Sequence, residues 1–217
     1  MLIEKLKDLK IVDLITVVVP GIIVIGFSYK FGFYYSKAID ANWVLSLFTP
    51  IDFITAQFNL YIYYFTAVVY LDRVIGGSEK LKEGLITGNA TMLGSFIGLY
   101  FLQGKIAFIF YVYALVSLHA IALILYSKSI GLRSLGFLAI FVILPMIAGG
   151  QEATKVSQGI LPVVKLSKTI DVVGPWYLLD KFSDKAILIN PTQTMNYFKV
   201  VELKEIEYIQ SAKLDKK

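Results

Sequence analysis

The feature that most constrains this chain is a long apolar stretch, residues 84–127, in which Lys105 is the only charged side chain. A bilayer core about 30 Å thick requires about 20 predominantly apolar residues per helix. The stretch is long enough for two such helices, and the sequence Gln103-Gly104-Lys105 interrupts it near its middle. We therefore predict a transmembrane hairpin, with lipid as the solvent for much of the chain.

The composition supports a membrane protein and excludes several other classes. Of 217 residues, 57% are hydrophobic and 17% are charged, whereas an average soluble domain has about 45–50% and about 25%. The chain has no cysteine and one histidine, which excludes disulfides and zinc clusters of the usual ligand spacing. A net charge of +5 fits lysines that flank spans better than nucleic-acid binding. We expect no cofactor and no metal.

Five apolar segments occupy the first 150 residues. They cover residues 11–29, 53–71, 84–102, 106–126 and 135–149. The last segment is short and contains Pro145, so four spans are the alternative to five. The helical spacing of apolar residues in 1–10 predicts an interfacial helix that leads into the first span. The predicted fold class is an α-helical polytopic membrane protein, with residues 11–150 as its transmembrane domain.

The composition changes after Gly149-Gly150. The last 67 residues hold 18 of the 37 charged side chains, which predicts a domain boundary near residue 150. Short β-rich runs separated by turn residues follow at 176–181, 186–190, 198–203 and 206–209. We predict that residues 151–217 form a small extramembrane antiparallel meander or barrel of four or five strands, with a surface for a protein partner.

The loop between the first two segments, residues 30–52, is rich in aromatic residues. Tyr34, Tyr35 and Trp43 are typical of the headgroup layer of a bilayer. Residues 43–48 fit a short re-entrant or interfacial piece before Pro50. The sequence therefore predicts that this loop lies at the membrane surface.

The positive charges of the loops predict an orientation. Lys and Arg accumulate in short cytoplasmic loops. One side carries eight of them and the other side three. The eight are Lys5, Lys7, Lys10, Arg73, Lys80, Lys82, Lys128 and Arg133, and the three are Lys30, Lys37 and Lys105. This asymmetry predicts a multi-pass protein of the cell membrane with a cytoplasmic N-terminus. Five spans place the tail outside the cytoplasm, and four spans place it inside.

The third apolar segment carries a stripe of small residues. Gly84, Gly88, Thr91, Ser95 and Gly98 recur at steps of four, three, four and three, which places them on one face of a helix. Such faces let helix backbones approach closely in lipid. Two interpretations follow: packing inside one protomer, or a seam between copies of the chain that lines or supports a pore.

Polar residues inside the apolar segments suggest a second feature. Gln57, Asn59, Asn89 and His119 are costly in lipid unless they form hydrogen bonds or face water. Their alternatives are structural bonds between helices and a polar pathway through the bundle. A Ser95–His119 dyad lacks a third group to position it, so we do not predict an enzyme.

The leading functional hypothesis is a non-enzymatic, homo-oligomeric membrane protein that acts as a sensor and effector or as a gated ion-permeable assembly. Its β-rich tail binds a signal or a partner. The alternative is a transporter of ions or small molecules, or a transporter subunit. In layout alone, a few spans plus a small β module, the chain is similar to membrane subunits of bacterial anti-phage systems such as that of Kiwa, which implies a defence role and transfers no residue.

Overall fold

A computed structural model describes residues 11–55, 58–75, 80–103, 108–167, 174–192 and 195–211. This part of the chain is mostly helical and ends in a small antiparallel sheet. The prediction of a helical region followed by a β-rich C-terminal region is thereby confirmed at that level. The predicted interfacial helix, residues 1–10, lies outside the described residues.

Seven α-helices precede the sheet in the described residues. They are α1 (Ile11–Tyr34), α2 (Pro50–Ile54), α3 (Phe58–Tyr70), α4 (Leu81–Gln103), α5 (Phe108–Tyr126), α6 (Ile130–Leu138) and α7 (Leu144–Ser157). A 3₁₀ segment covers Asn42–Leu47, and π-helical segments cover Leu71–Ile75 and Ala139–Ile143. The second π segment joins α6 to α7, so Ile130–Ser157 is one continuous helix of 28 residues.

The fifth apolar segment, 135–149, lies inside this longer helix, because Pro145 does not end the helix. The backbone amide of Leu144 donates to the carbonyl of Ala139, five residues earlier, which is the hydrogen-bond pattern of a π turn. In the same pattern the donor to the carbonyl of Ile140 would be residue 145, but Pro145 has no N–H. The hydroxyl of Tyr64 on α3 donates to that carbonyl at 2.8 Å. A side chain from a neighbouring helix thus lets the helix continue through the proline.

Two helices in the described part of the chain are long and apolar enough to cross a membrane. They are Ile109–Tyr126 and Ile130–Ser157, while the apolar helix Val18–Tyr34 is shorter. The predicted second span, 53–71, is divided between α2, which ends at Ile54, and α3, which begins at Phe58. The count of four or five spans therefore stays a prediction.

The chain divides into two compact units, each built from two separate segments. The helical unit comprises Met1–Tyr29 and Phe53–Pro145, and the sheet unit comprises Lys30–Asp52 and Met146–Lys217. The predicted boundary at residue 150 falls inside α7, and the sheet unit includes the loop between the first two apolar segments.

The sheet has five antiparallel strands. They are β1 (Val163–Leu166), β2 (Trp176–Phe182), β3 (Lys185–Pro191), β4 (Asn196–Glu202) and β5 (Ile206–Gln210). The order is β4-β3-β2-β1-β5, so β1 to β4 form a meander and β5 returns to pair with β1. The four strands predicted by sequence are present, and β1 is additional. Residues 186–190 of β3, an inner strand between β4 and β2, are buried in succession, because both faces of that strand are covered.

Different parts of the unit cover the two faces of the sheet. One face holds a core of Val164, Trp176, Ala186, Leu188 and Val201. The loop 30–52 packs onto strand residues elsewhere in the unit: the ring of Phe48 lies 5.5 Å from that of Phe182, and Trp43 lies 6.1 Å from Phe198.

The prediction that the loop 30–52 lies in the headgroup layer is wrong for part of it. Tyr34 and Val44 are fully buried, while Trp43 and Tyr35 remain exposed. The amide of Asn196 on β4 also donates to the carbonyls of Ala38 and Ile39, at 3.2 and 3.1 Å. The loop is thus an integral part of the sheet unit.

Candidate functional site

The predicted small-residue stripe on α4 falls into two halves with different surroundings. A Cβ placed at Gly88 would lie 2.9 Å from the ring of Tyr70, and one at Gly84 would meet the side chain of Ile75. The hydroxyl of Tyr70 donates to the carbonyl of Gly84 at 2.8 Å. These two glycines therefore let α4 approach α3 and the π segment that follows it within the helical unit.

The C-terminal half of the stripe is open. Thr91, Ser95 and Gly98 are exposed, and a Cβ at Gly98 would meet no atom within 4 Å. The same holds for Gly94. Large apolar side chains on this half are exposed too, and Phe101 reaches 81%. In this half, α4 therefore has small residues exposed on one face and large apolar residues exposed on other faces.

A groove runs beside the open half of the stripe. It has a volume of about 440 Å³ and is walled by α3, α4 and α5 of the helical unit. Gly88, Thr91 and Ser95 form its α4 wall, and Tyr63 and Tyr111 contribute to the other walls. The hydroxyl of Thr91 donates to the carbonyl of Thr87 at 2.9 Å, so this polar group is satisfied within its own helix.

Two of the four residues of the predicted polar pathway come together. Nδ2 of Asn89 lies 3.5 Å from Nε2 of His119, and Nδ1 of His119 lies 2.8 Å from the carbonyl of Leu115. Because a carbonyl only accepts, Nδ1 carries the proton and Nε2 accepts from Asn89. Oδ1 of Asn89 is buried without a partner among the described residues.

The other two predicted pathway residues are not placed. Gln57 lies outside the described residues, as does the side chain of Asn59. A continuous pathway therefore stays a prediction. The contacts of His119 lead to Asn89 and Leu115, not to Ser95, so no Ser95–His119 dyad forms.

A buried charge cluster in the sheet unit was missed at the level of sequence. Nζ of Lys30 on α1 and the hydroxyl of Tyr34 both donate to Oδ2 of Asp180 on β2, at 2.6 and 2.7 Å. The Lys30 side chain is 7% exposed and that of Asp180 is 20% exposed. Nζ of Lys30 also lies 4.1 Å from the ring centre of Phe48.

The two charged members of this cluster, Lys30 and Asp180, each had a signal in the sequence. Lys30 follows an apolar run directly, and Asp180 interrupts a β-rich run. A charge inside an apolar pattern indicates a paired group, because an unpaired charge is costly to bury. The pattern does not reveal the partner, which lies 150 residues away.

Asp52 provides a second anionic group of the sheet unit. Burial by itself raises the pKa of Asp52, but hydrogen bonds from the hydroxyl and the amide of Thr49 outweigh it, with help from the Ser183 backbone and the charge of Lys30. The pKa of Asp52 therefore lies below its ordinary value. Both Thr49 donors are 2.7 Å from Oδ2, which fixes the start of α2.

The sheet unit also contains a cavity of about 480 Å³. Lys37, Tyr177 and Asn196 supply polar groups to its wall, and Leu161 and Met195 supply apolar ones. No acidic side chain lines it in the part of the sheet unit that the structure describes.

In the described ranges, no group of three or more His, Asp or Glu side chains lies close enough to hold a metal ion. Compared with protein-family models, with curated proteins and with solved structures, the chain gives no match.

Proposed function

We propose that this chain is a non-enzymatic, multi-pass integral membrane protein that associates with copies of itself through the C-terminal half of α4. The assembly acts as a sensor and effector, in which the sheet unit binds a signal and the helices respond. A gated ion-permeable assembly is one form of that effector.

The observation that carries this proposal is the open C-terminal half of the α4 stripe, where Thr91, Ser95 and Gly98 are exposed and nothing packs beside Gly98. Leu93 and Ile97 are exposed on the opposite side of the same helix, so apolar surface is exposed around this half of α4. In water such a surface is a large unsatisfied apolar patch. In a bilayer it is an ordinary lipid-facing surface. The two candidate spans fit this reading, since only 33% and 22% of their apolar windows are buried.

Small residues favour another helix over lipid as the neighbour of this surface. Lipid tails are as apolar as leucine, so helices associate in a bilayer through close packing and not through the hydrophobic effect. Thr91, Ser95 and Gly98 allow that close approach, and the adjacent groove offers space for larger side chains of the incoming helix. Gly88 already packs against Tyr70, so we assign it to packing inside the protomer.

Disulfide cross-linking tests the seam. The native chain has no cysteine, so single-cysteine variants give an unambiguous readout. Ser95→Cys and Gly98→Cys should form covalent dimers in native membranes after mild oxidation. Leu93→Cys is the matched control: it lies on the same helix, is exposed, and is turned about 200° from Ser95.

Equal cross-linking at Ser95 and Leu93 would indicate random collision and contradict the seam. Absence of dimers at both stripe positions, together with a monomer mass by native mass spectrometry, would contradict self-association altogether.

The membrane topology is part of the same proposal. The charge asymmetry of the loops supports a cytoplasmic N-terminus, and five spans then place the sheet unit outside the cytoplasm. Protease protection of a C-terminal tag in spheroplasts measures this directly. A tag that is degraded only after the cells are opened indicates four spans.

A second candidate function is transport, and one observation favours it. Oδ1 of Asn89 is buried without a partner in the described residues, beside the ring of His119. Such an acceptor can coordinate a cation or accept a hydrogen bond from a polar solute that crosses the bundle. Asn89→Leu should abolish flux in liposomes if these residues line a path. Unchanged flux, or no flux in the native protein, would restrict the pair to helix packing.

A further inference from the structure

We propose that the cavity of the sheet unit is a binding site for an organic phosphate. The cavity is lined by Lys37, which follows α1, by the end of α7, by Tyr177 on β2 and by Thr192 and Met195 before β4. Its volume of about 480 Å³ lies in the range of small-molecule sites, about 300–1,000 Å³. The site lies in the sheet unit, so it stands independently of the α4 seam.

The charge of the cavity selects an anion. Lys37 is exposed and makes no ion pair with any residue that the structure describes. No acidic side chain shares the described wall. By contrast, Lys155, Lys165 and Lys204 of the same unit are each paired with a glutamate. A free ammonium group with three N–H donors is therefore available to a ligand.

The remaining polar groups point to a ligand with both acceptors and donors. The hydroxyl of Tyr177 has no hydrogen-bond partner in the described ranges and can donate to an anion. Asn196 uses its NH₂ group on Ala38 and Ile39, which leaves its Oδ1 as an acceptor. A hydroxyl group on the ligand satisfies that acceptor.

Phosphate suits this wall better than carboxylate. Lysine binds phosphate as a point charge, whereas specific carboxylate recognition favours the planar fork of arginine, and no arginine lines the cavity in the described residues. The volume exceeds what phosphate alone needs, so the phosphate belongs to a larger molecule with hydroxyl groups.

Gly159 widens the site at the end of α7. It has a φ of +66°, and a Cβ there would meet no atom within 4 Å. Apolar side chains of Leu161 and Met195 provide contact for carbon atoms of the ligand.

This chemistry has two sources, which the experiment separates. One is a soluble phosphate ester and the other is the glycerophosphate headgroup of a membrane lipid. The full chain is reconstituted in phosphatidylcholine nanodiscs, and glycerol 3-phosphate is titrated by calorimetry. In parallel, thermal unfolding is compared between phosphatidylcholine nanodiscs and nanodiscs that contain phosphatidylglycerol. Saturable heat supports a soluble ligand, and stabilisation by phosphatidylglycerol alone supports a lipid headgroup.

Substitutions locate either effect. Lys37→Gln should weaken it about tenfold or more, because a charge-assisted contact is lost. Lys37→Arg should keep it, and Tyr177→Phe should weaken it less than Lys37→Gln. Lys185→Gln is the matched control, since Lys185 is exposed in the same unit and does not line the cavity.

Two results overturn the site. One is that neither glycerol 3-phosphate nor phosphatidylglycerol has any effect on the native chain. The other is that Lys37→Gln and Lys185→Gln behave alike. Neither outcome bears on cross-linking at Ser95, so failure here and failure of the α4 seam are distinguishable.

Discussion

The two units of this protein differ in the side chains that they bury and expose. The sheet unit buries five successive residues of β3 and keeps even a lysine, Lys30, almost out of contact with solvent. The helical unit leaves large apolar residues of α4 exposed, such as Phe101. Exposed apolar surface of this kind is costly in water and carries no such cost in lipid, so the contrast supports the proposal that the helical unit lies in a membrane.

The units also satisfy their polar groups differently. In the sheet unit, ionised groups pair, as Lys30 and Asp180 do. In the helical unit, tyrosine hydroxyls donate to backbone carbonyls of both π segments: Tyr64 to Ile140 and Tyr126 to Leu71, at 2.8 and 3.0 Å. A side chain of a neighbouring helix thus supplies a donor to a carbonyl of each π segment. In the proposed membrane setting such a donor matters because lipid offers no water to these carbonyls.

The largest effect should follow from breaking the buried ion pair. Asp180→Leu leaves Lys30 charged and unpaired, which costs about 3–5 kcal/mol of the free energy of unfolding. Hydrogen exchange of the β2 and β3 amides in the full chain measures the loss.

The matched control is Glu207→Gln. It removes an exposed pair with Lys165, at 3.2 Å, and should cost less than about 1 kcal/mol. The double variant Lys30→Met with Asp180→Leu should recover part of the loss. Equal losses for Asp180→Leu and Glu207→Gln would contradict the special cost of breaking the buried pair.

A smaller effect is expected where two helices touch through a glycine. A Cβ at Gly136 would lie 2.6 Å from the carbonyl of Ala120, so Gly136→Ala must push α6 away from α5, at a cost of about 1–3 kcal/mol. Thermal unfolding in nanodiscs reports it. Gly131→Ala on the same helix is the control, because its nearest atom is 3.8 Å away, and it should be neutral or slightly stabilising.

The tyrosine that serves the π segment should contribute less. Tyr64→Phe leaves the carbonyl of Ile140 without its donor, which costs about 1 kcal/mol in thermal unfolding. Tyr61→Phe is the comparison, since its hydroxyl lies 3.4 and 3.5 Å from its nearest carbonyls and should matter less. Equal losses for the two variants would argue against a special role for the π segment.

The smallest effect should be a pH dependence at the start of α2. Because the folded pKa of Asp52 lies below 3.8, its contribution to stability is present above that pH and is lost as the pH falls through the folded value. Exchange protection of α2 should therefore decline in acid. Asp52→Asn should remove that decline, and a decline of the same size in the variant would assign it to another group.

The sequence predicted local structure well where the pattern of a segment decides it. The four β-rich runs are strands, and the apolar run 106–126 contains the helix Phe108–Tyr126. It failed at residues 30–52, because aromatic residues suit a headgroup layer and a core face equally well. The full length of the helix Ile130–Ser157 was not predictable either, because the hydroxyl that donates beside Pro145, that of Tyr64, lies on another helix.

The candidate sites show the same limit. Helical spacing put five small residues on one face, but it does not tell which of them touch a neighbour, and the structure separates Gly88 from Ser95 on that ground. The sequence singled out Asn89 and His119 because each is a polar residue in an apolar run, but it did not predict that they contact each other. The cavity at Lys37 had no signal in the sequence, since its wall comes from four distant segments.

By itself the sequence determined which segments are apolar enough to leave water, where strands alternate with turns, and that thiol chemistry is absent. These are properties of neighbouring residues, which propensity and hydrophobicity decide. Only the tertiary structure decided that residues 30–52 complete the sheet unit, that Lys30 pairs with Asp180, and that half of the α4 stripe is already occupied. Each of these joins residues that are distant along the chain. Their meeting depends on how whole elements pack, which no local pattern records.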